Sequence, residues 1–310
     1  MHSLVLGIDV GGTNIKAGLV DSSGRVFART NLSTKSFIQS KEKLIAAIIT
    51  CVEGLLEVGK WDRKNILGVG IGLPGLIDTQ KGIVNFLVNI PGWHNVLLKK
   101  ILEKKLRLPV FIDNDANVIA LGEWQFGAGR GIRNLVCITL GTGVGGGIII
   151  NNELFRGVGF AAGEIGHIPL NEKGPRCNCG GFGCLEAYIG NQYLLSKARK
   201  IFRNDAISLE EITRRADQGN RQAIYFWREA AVHLGNGLVS VVNLLNPQSI
   251  IIGGGIANAH RYLFKTICAT IKKRAMKIPA KNLKIVKAKL GINAGIVGTQ
   301  VLVTHALSSR

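Results

Sequence analysis

Three cysteines stand within eight positions, Cys177, Cys179 and Cys184, and His167 lies ten residues before the first. Four borderline-soft donors of these types suit a closed tetrahedral Zn²⁺ site. Gly174, Pro175, Gly180, Gly181 and Gly183 let the chain turn tightly enough to aim all four inward. The spacing is not a paired C-x₂-C, so a set of buried or disulfide-bonded cysteines beside a surface histidine stays open. Two carboxylates, Glu164 and Glu186, bracket the ligands. A metal-stapled hairpin would hold both near one point, as a polar substrate pocket requires.

A second chemistry is suggested by glycine and threonine. The apolar run Leu4–Val10 contains Asp9 and leads into Gly11-Gly12-Thr13-Asn14, after which Ile15–Val20 resumes apolar character. The run Leu140-Gly141-Thr142-Gly143-Val144-Gly145-Gly146-Gly147 repeats the pattern between Asn134–Thr139 and Ile148–Ile150. Rossmann and Walker loops need the glycines to open a helix, and the Walker loop also needs Gly-Lys-Ser/Thr. Here each turn joins two strands, so backbone N–H groups and a hydroxyl offer a concave anion nest. Two ordinary hairpins are the alternative. The repetition predicts an internal duplication with the two turns facing each other across a cleft. A third glycine run, Gly253-Gly254-Gly255, ends the buried strand Ser249–Ile252. It would let a flat ligand such as a nucleobase approach the backbone, or simply turn a strand into a helix.

The candidate acid is Asp115, in Asp113-Asn114-Asp115-Ala116-Asn117. It follows the strand Pro109–Asp113 and opens a helix running to about Gly127, so it can point into a cleft or merely cap the helix. Asp113 reads as structural.

The remaining elements follow from periodicity. Helices are expected over Lys41–Val58, Val96–Arg107, Gln192–Phe202, Ser208–Ala216, Arg221–Leu245, Arg261–Lys277 and Ala294–Ala306. Further strands are expected at Val26–Thr30, Ile66–Gly72, Glu153-Leu154 and Leu283–Lys289. Pro74-Gly75 and Asn89–Trp93 read as loops.

Composition narrows the class. The chain has 310 residues, 46% of them hydrophobic, enough for about two cores. No apolar run reaches the ~18 residues of a membrane span, and a strand pattern begins where a signal peptide would stand. Six cysteines are too few for a disulfide framework, which places the protein in a reducing cytoplasm. The net charge of +19 is spread over solvated faces such as Lys99, Lys100, Lys104 and Lys105, or Lys272, Lys273, Arg274 and Lys277. Neither a nucleic-acid nor a membrane partner is therefore expected. Alternating lysines from Lys281 to Lys289 fit a protected edge strand.

With these motifs in order along its whole length, the chain resembles the ROK family of sugar kinases and repressors, of the actin/hexokinase/Hsp70 ATPase-domain superfamily. The resemblance implies an α/β fold of two RNase-H-like domains, with sugar and ATP between them and a zinc-stapled hairpin. One domain would comprise residues 1–117 plus 294–310, the other 118–293 with the zinc site. Family repressors carry an N-terminal helix-turn-helix, for which no room is expected before the first strand. The resemblance makes Asp115 the general base. Asn114, Glu164, His167 and Glu186 would bind sugar hydroxyls, with Gly75 and Asn89 on loops that read the sugar. His167, Cys177, Cys179 and Cys184 would hold a structural Zn²⁺. Gly11, Gly12, Thr13, Asn14, Thr142 and Gly143 would hold the triphosphate, Gly254 and Gly255 the adenosine, and Asp9 would orient Mg²⁺. The implied activity is ATP-dependent phosphorylation of a hexose 6-hydroxyl, glucose first, with N-acetylmannosamine, N-acetylglucosamine or fructose as alternatives, or a silent sugar sensor. A homodimer or homotetramer is usual in such families.

Overall fold

The computed structural model describes residues 4–34, 37, 40–87 and 92–308, apart from the His260 side chain. The chain divides into two compact units. The first comprises Met1–Gly131, Gly147–Ala162 and Leu290–Arg310, the second Ile132–Gly146 and Gly163–Lys289.

In the first unit, β1 (Leu4–Val10) is buried along its whole length, as its run of apolar residues around the lone charge of Asp9 requires. It pairs antiparallel with β2 (Asn14–Val20), which pairs with β3 (Val26–Ser33). The exposure of β3 alternates, as expected of an edge strand with one wet face. On the other side β1 runs parallel to β4 (Ile66–Leu73), and β4 to β8 (Val110–Asn114), giving the order β3-β2-β1-β4-β8. Helix α1 (Lys41–Val58) starts at Ser40, whose hydroxyl accepts the Lys43 N–H at 3.2 Å, and buries Leu44, Ile48 and Val52. Helix α2 (Leu98–Leu106) buries Leu98, Leu102 and Leu106 and leaves Lys100, Lys104 and Lys105 exposed, while Lys99 is half-buried with its ammonium 5.5 Å from the centre of the Phe111 ring rather than on a solvated face. A three-stranded sheet that periodicity does not reveal joins β5 (Leu76–Asp78), β6 (Ile83–Phe86) and β7 (His94–Val96).

Two helices complete this unit, α3 (Asp115–Phe126) and, from the far end of the chain, α10 (Ala294–Ser308). They approach closely because glycines face each other. A Cβ at Gly298 would fall 1.8 Å from Val118 O, and one at Gly122 would fall 2.6 Å from Ala294 O. Helix α10 also lies on β1 and β4.

The second sheet has the order β11-β10-β9-β12-β13. Its strands are β9 (Leu135–Leu140), β10 (Val144–Ile150), β11 (Glu153–Leu154), β12 (Ser249–Gly253) and β13 (Lys284–Lys287). Counted in chain order, this repeats the first sheet's order, as the duplicated motifs suggest. Strand β12 is parallel to both neighbours, and β13 is an edge strand. The glycines Gly145–Gly147 are strand, so the turn before them is only Gly141-Thr142-Gly143.

The helices of the second unit are α4 (Glu186–Ile189), α5 (Asn191–Phe202), α6 (Leu209–Asp217), α7 (Arg221–Leu245), α8 (His260–Arg274) and α9 (Lys277–Lys281). Helix α7 is the long spine, capped by Asn220 and ended by Asn246 in the left-handed region. The single helix expected over Arg261–Lys277 is broken at Ala275, where the chain extends and Met276 N–H donates instead to the Asn243 side chain.

Candidate active site

In the first unit, β1 delivers Asp9 and then the Gly11–Thr13 turn. Gly11 N–H donates to Asn14 O at 2.8 Å and closes it. Buried Thr34 braces the turn from behind: its hydroxyl donates to Gly11 O at 3.0 Å and its N–H to Thr13 O at 2.9 Å. Asn14 Nδ2 donates to Thr13 Oγ1 at 3.1 Å, while Gly12 and Thr13 stay exposed. Asp9 is 7% exposed, with α10 pressed against it at Gly295. Burial raises its carboxyl above the usual range, partly offset by Lys16, whose Nζ lies 3.8 Å away. The same geometry suits a carboxylate that would help place a cation.

Strand β8 ends one residue later than expected, and this changes the roles around Asp115. Asn114 is the cap of α3: its Oδ1 accepts the N–H groups of Ala116 at 2.9 Å and Asn117 at 3.4 Å. Its Nδ2 donates to Gly75 O at 3.1 Å. Asn114 thus ties the helix start to the Gly75 loop, and any sugar contact would share atoms already engaged. Gly75 itself has φ +109°, and a Cβ there would fall 2.2 Å from Phe86 O, so glycine is required. Asp115 is the first helical residue, half-buried at the strand end, with Oδ1 accepting Ala116 N–H at 2.8 Å. Asn89 lies outside the described residues.

Behind Asp115 stands a network that sequence reading missed. Asp113 is 1% exposed, and its Oδ1 accepts Asn114 N–H at 2.7 Å and Asn117 Nδ2 at 3.0 Å. Arg156 grips Oδ2 through Nε at 2.8 Å and Nη2 at 2.7 Å. Charge-assisted bonds on every side make Asp113 structural, as read from sequence. Arg156 is 43 residues away, so nothing local announces it.

In the second unit, the Gly141–Gly143 turn is closed by Gly141 N–H on Gly143 O at 3.0 Å and tied to α5 by Asn191 N–H on Gly141 O at 3.0 Å. Glu186, first residue of α4, accepts Val144 N–H through Oε2 at 2.8 Å. A Cβ at Gly143 would fall 2.3 Å from the same oxygen. Gly254 has φ +88° and would clash with Leu140 O at 2.1 Å if it carried a Cβ. It therefore lets the end of β12 tuck against the end of β9, with Gly254 and Gly255 exposed. Beside them opens a pocket of about 300 Å³ walled by Gly141, Asn191, Gly255 and Ile256, and by Leu209, Thr213, Arg214 and Asp217 of α6. The α6 wall carries no glycine or motif that would have marked it.

The Cys/His cluster is assembled. His167 Nδ1 or Nε2 and the sulfurs of Cys177, Cys179 and Cys184 all lie within 4.8 Å of one another. All six cysteines are free thiols. Cys179 and Cys184 sulfurs are 3.7 Å apart, and Cys177 Sγ is 3.7 Å from His167 Nδ1. Zn–S bonds of about 2.3 Å at tetrahedral angles place sulfurs about 3.8 Å apart, so the donor set fits that ion. Burial pushes the Cys184 thiol up to about 12 and raises Cys177, while the Gly181 N–H lowers Cys179. Ionising three such thiols together calls for a compensating cation. The other face of His167 looks to Glu164, with Nε2 3.8 Å from its Oε2. Tyr193, also unforeseen, accepts Asn178 N–H on its hydroxyl at 3.1 Å and steadies the loop.

Each unit thus gathers its own set: Asp9, Gly11–Asn14, Gly75, Asn114 and Asp115 in the first; Thr142, Gly143, Glu164, His167, the cysteines, Glu186, Gly254 and Gly255 in the second. Two α/β units of one strand order, each with a glycine-threonine turn at its strand ends and one with a Cys₃His cluster, define the class. The ROK family profile matches residues 5–306, and the chain belongs to the ROK family. It is 36% identical to a glucokinase of Halalkalibacterium halodurans over 98% of this chain and 96% of that protein. It is 34% identical to a xylose repressor of Caldicellulosiruptor bescii over 98% of this chain and 79% of that one. The solved structure of a ROK family glucokinase from Streptomyces griseus, in complex with glucose and AMPPNP, superposes with a TM-score of 0.86 at 34% identity, covering 97% of this chain and 99% of that one.

Proposed function

We propose that the protein is an ATP-dependent hexose kinase that phosphorylates the sugar 6-hydroxyl, with glucose as the first substrate to test. The observation that carries this reading is Asp115. Asn114 caps α3, so the acid beside it is not needed for that task, and it sits half-buried where ligands meet α/β sheets. An acid there can take the proton of the attacking hydroxyl as the new bond forms.

Phosphoryl transfer needs positioning and charge neutralisation more than covalent help. The Gly11–Thr13 and Gly141–Gly143 turns would hold the triphosphate, and the pocket beside Gly254 and Gly255 the adenosine. Asn114, Glu164, His167 and Glu186 would orient the sugar, with Gly75 shaping its loop. Asp9 would orient a Mg²⁺ ion, which neutralises phosphate charge when bound. His167 and the three cysteines would hold Zn²⁺; four protein ligands leave no open position, so its task is structural. Work in the cytoplasm as a dimer or tetramer belongs to the same reading.

The similarity to a glucokinase over nearly the whole of both chains supports a kinase. The similarity to a xylose repressor supports a second reading, a sugar sensor without turnover. Asp115 and both turns favour the kinase. The test is an ADP-release assay with glucose, mannose, fructose, N-acetylglucosamine and N-acetylmannosamine. Turnover highest on glucose is expected. Sugar binding without ADP release on any of them would leave the sensor.

A further inference from the structure

All 20 acidic residues of the chain stand at or before Glu229, while eleven of its 39 lysines and arginines come after it. Ten of those eleven fall between Arg261 and Lys289, on α8, α9, β13 and the links between them, and all ten are exposed. Arg261 has a carboxylate nearby, Asp217 at 3.7 Å. Around the α8–α9 corner, Lys272, Lys273, Lys277, Lys281 and Lys284 have none within ion-pair range among the described residues.

This corner also carries aliphatic side chains in water. Leu244 is 81% exposed, Met276 66% and Ile278 83%. The link between α8 and α9 is tied to α7: Met276 N–H donates to Asn243 Oδ1 at 2.9 Å, and Arg274 Nη1 donates to Asn236 Oδ1 at 2.8 Å. Cations without counter-charges around exposed aliphatic groups demand a partner that is anionic and apolar at once.

We propose that the α8–α9 corner of the second unit is a peripheral attachment surface for an anionic phospholipid bilayer. The lysines would meet lipid phosphates, and Met276, Ile278 and Leu244 would enter the boundary between headgroups and acyl chains. Long lysine stems can reach the phosphates while apolar neighbours sit deeper. Nucleic acid fits less well, since bases stack on aromatic faces and the exposed groups here are aliphatic. A second copy of this chain fits less well too, since a two-fold contact would set lysines against lysines with no acid between them. Among the described residues no helix is long and apolar enough to cross a membrane, and the contact proposed is interfacial. It also revises the expectation that the basic faces are merely solvated.

The test is sedimentation of the full-length protein with vesicles of equal parts phosphatidylglycerol and phosphatidylcholine, against vesicles of phosphatidylcholine alone. Binding to the anionic vesicles is expected to be at least about tenfold tighter and to weaken steeply with added salt. Ile278→Asp and the double variant Lys272→Glu/Lys273→Glu should each lower it about tenfold while melting like the parent protein and keeping its solution activity. Equal binding to both vesicles, no binding to either, or unchanged binding by Ile278→Asp overturns the proposal. So does a change of oligomeric state in Ile278→Asp, which would make the corner a self-interface, or displacement from the vesicles by duplex DNA at equal charge.

Discussion

Glu186 Oε2 accepts the N–H of Val144 at 2.8 Å, so one carboxylate reaches from the start of α4 to the residue that follows the Gly141–Gly143 turn. A side chain assigned to the sugar therefore also shapes the turn assigned to phosphate. Removing a charged acceptor from a part-buried N–H costs about 1.5–3 kcal/mol. Glu186→Ala should raise the apparent KM for sugar and for ATP together, by roughly tenfold or more. Glu186→Gln keeps an oxygen for Val144 and should restore the ATP value ahead of the sugar value. Steady-state kinetics varied in both substrates would show whether the two move together.

Asp115→Asn keeps the size of the side chain and an acceptor for Ala116 N–H. It should lower kcat by roughly 10²–10⁴-fold while leaving sugar binding measurable by calorimetry. Turnover close to the parent would assign the base elsewhere.

Arg156 neutralises Asp113, which is 1% exposed. Arg156→Gln should leave that carboxylate buried without its charge partner and destabilise the first unit by about 3–5 kcal/mol. Arg156→Lys can make one of the two contacts and should recover part of the loss. Urea unfolding read against both variants checks the order; equal stability of all three would mean that Asp113 is held by its amide donors alone.

The cysteine cluster makes a claim about metal content. Protein purified without chelator should hold about one zinc per chain by elemental analysis, and Cys179→Ser should lose it. The same variant should melt at lower temperature and show a raised KM for sugar, because His167 is both a member of the cluster and a neighbour of Glu164. A zinc-free variant with unchanged sugar affinity would separate the cluster from the pocket.

Asp9 has its carboxyl raised by burial, so the folded chain holds that proton more tightly than the unfolded chain does. Ionising Asp9 in the folded state therefore costs stability. The cost is absent below the ordinary carboxylate range, grows as pH rises towards the folded value and is complete above it. Asp9→Asn should remove this component and make the protein more heat-stable at neutral pH while lowering activity. Melting curves of the two proteins from acid to neutral pH should converge at the acid end.

What could be read from sequence was local. The Cys₃His cluster and both glycine-threonine turns lie within short stretches, and their residue types state their geometry. Helices α1 and α7 span the residues that periodicity indicates. What escaped depended on distant partners. Asn-Asp-Ala at the end of β8 offers two caps in a row, and only the strand's pairing to Leu73 shows that Asn114 takes the role. The β5-β6-β7 sheet is built of strands of three or four residues, too short for an alternating pattern. Arg156 and the α6 wall of the pocket reach their places through tertiary folding alone.

Helix α10 contains the last described residues of the chain, yet it lies on β1, the first strand, and a Cβ on Gly7 would fall 2.3 Å from Thr299 Oγ1. Synthesis therefore imposes an order. The first unit lacks its closing helix until Ala294–Ser308 has been made, whereas Ile132–Gly146 and Gly163–Lys289 all precede that helix in the chain. The nascent protein should assemble the second unit before the first, and a premature stop before Ala294 would leave the β3-β2-β1-β4-β8 sheet bare of one cover.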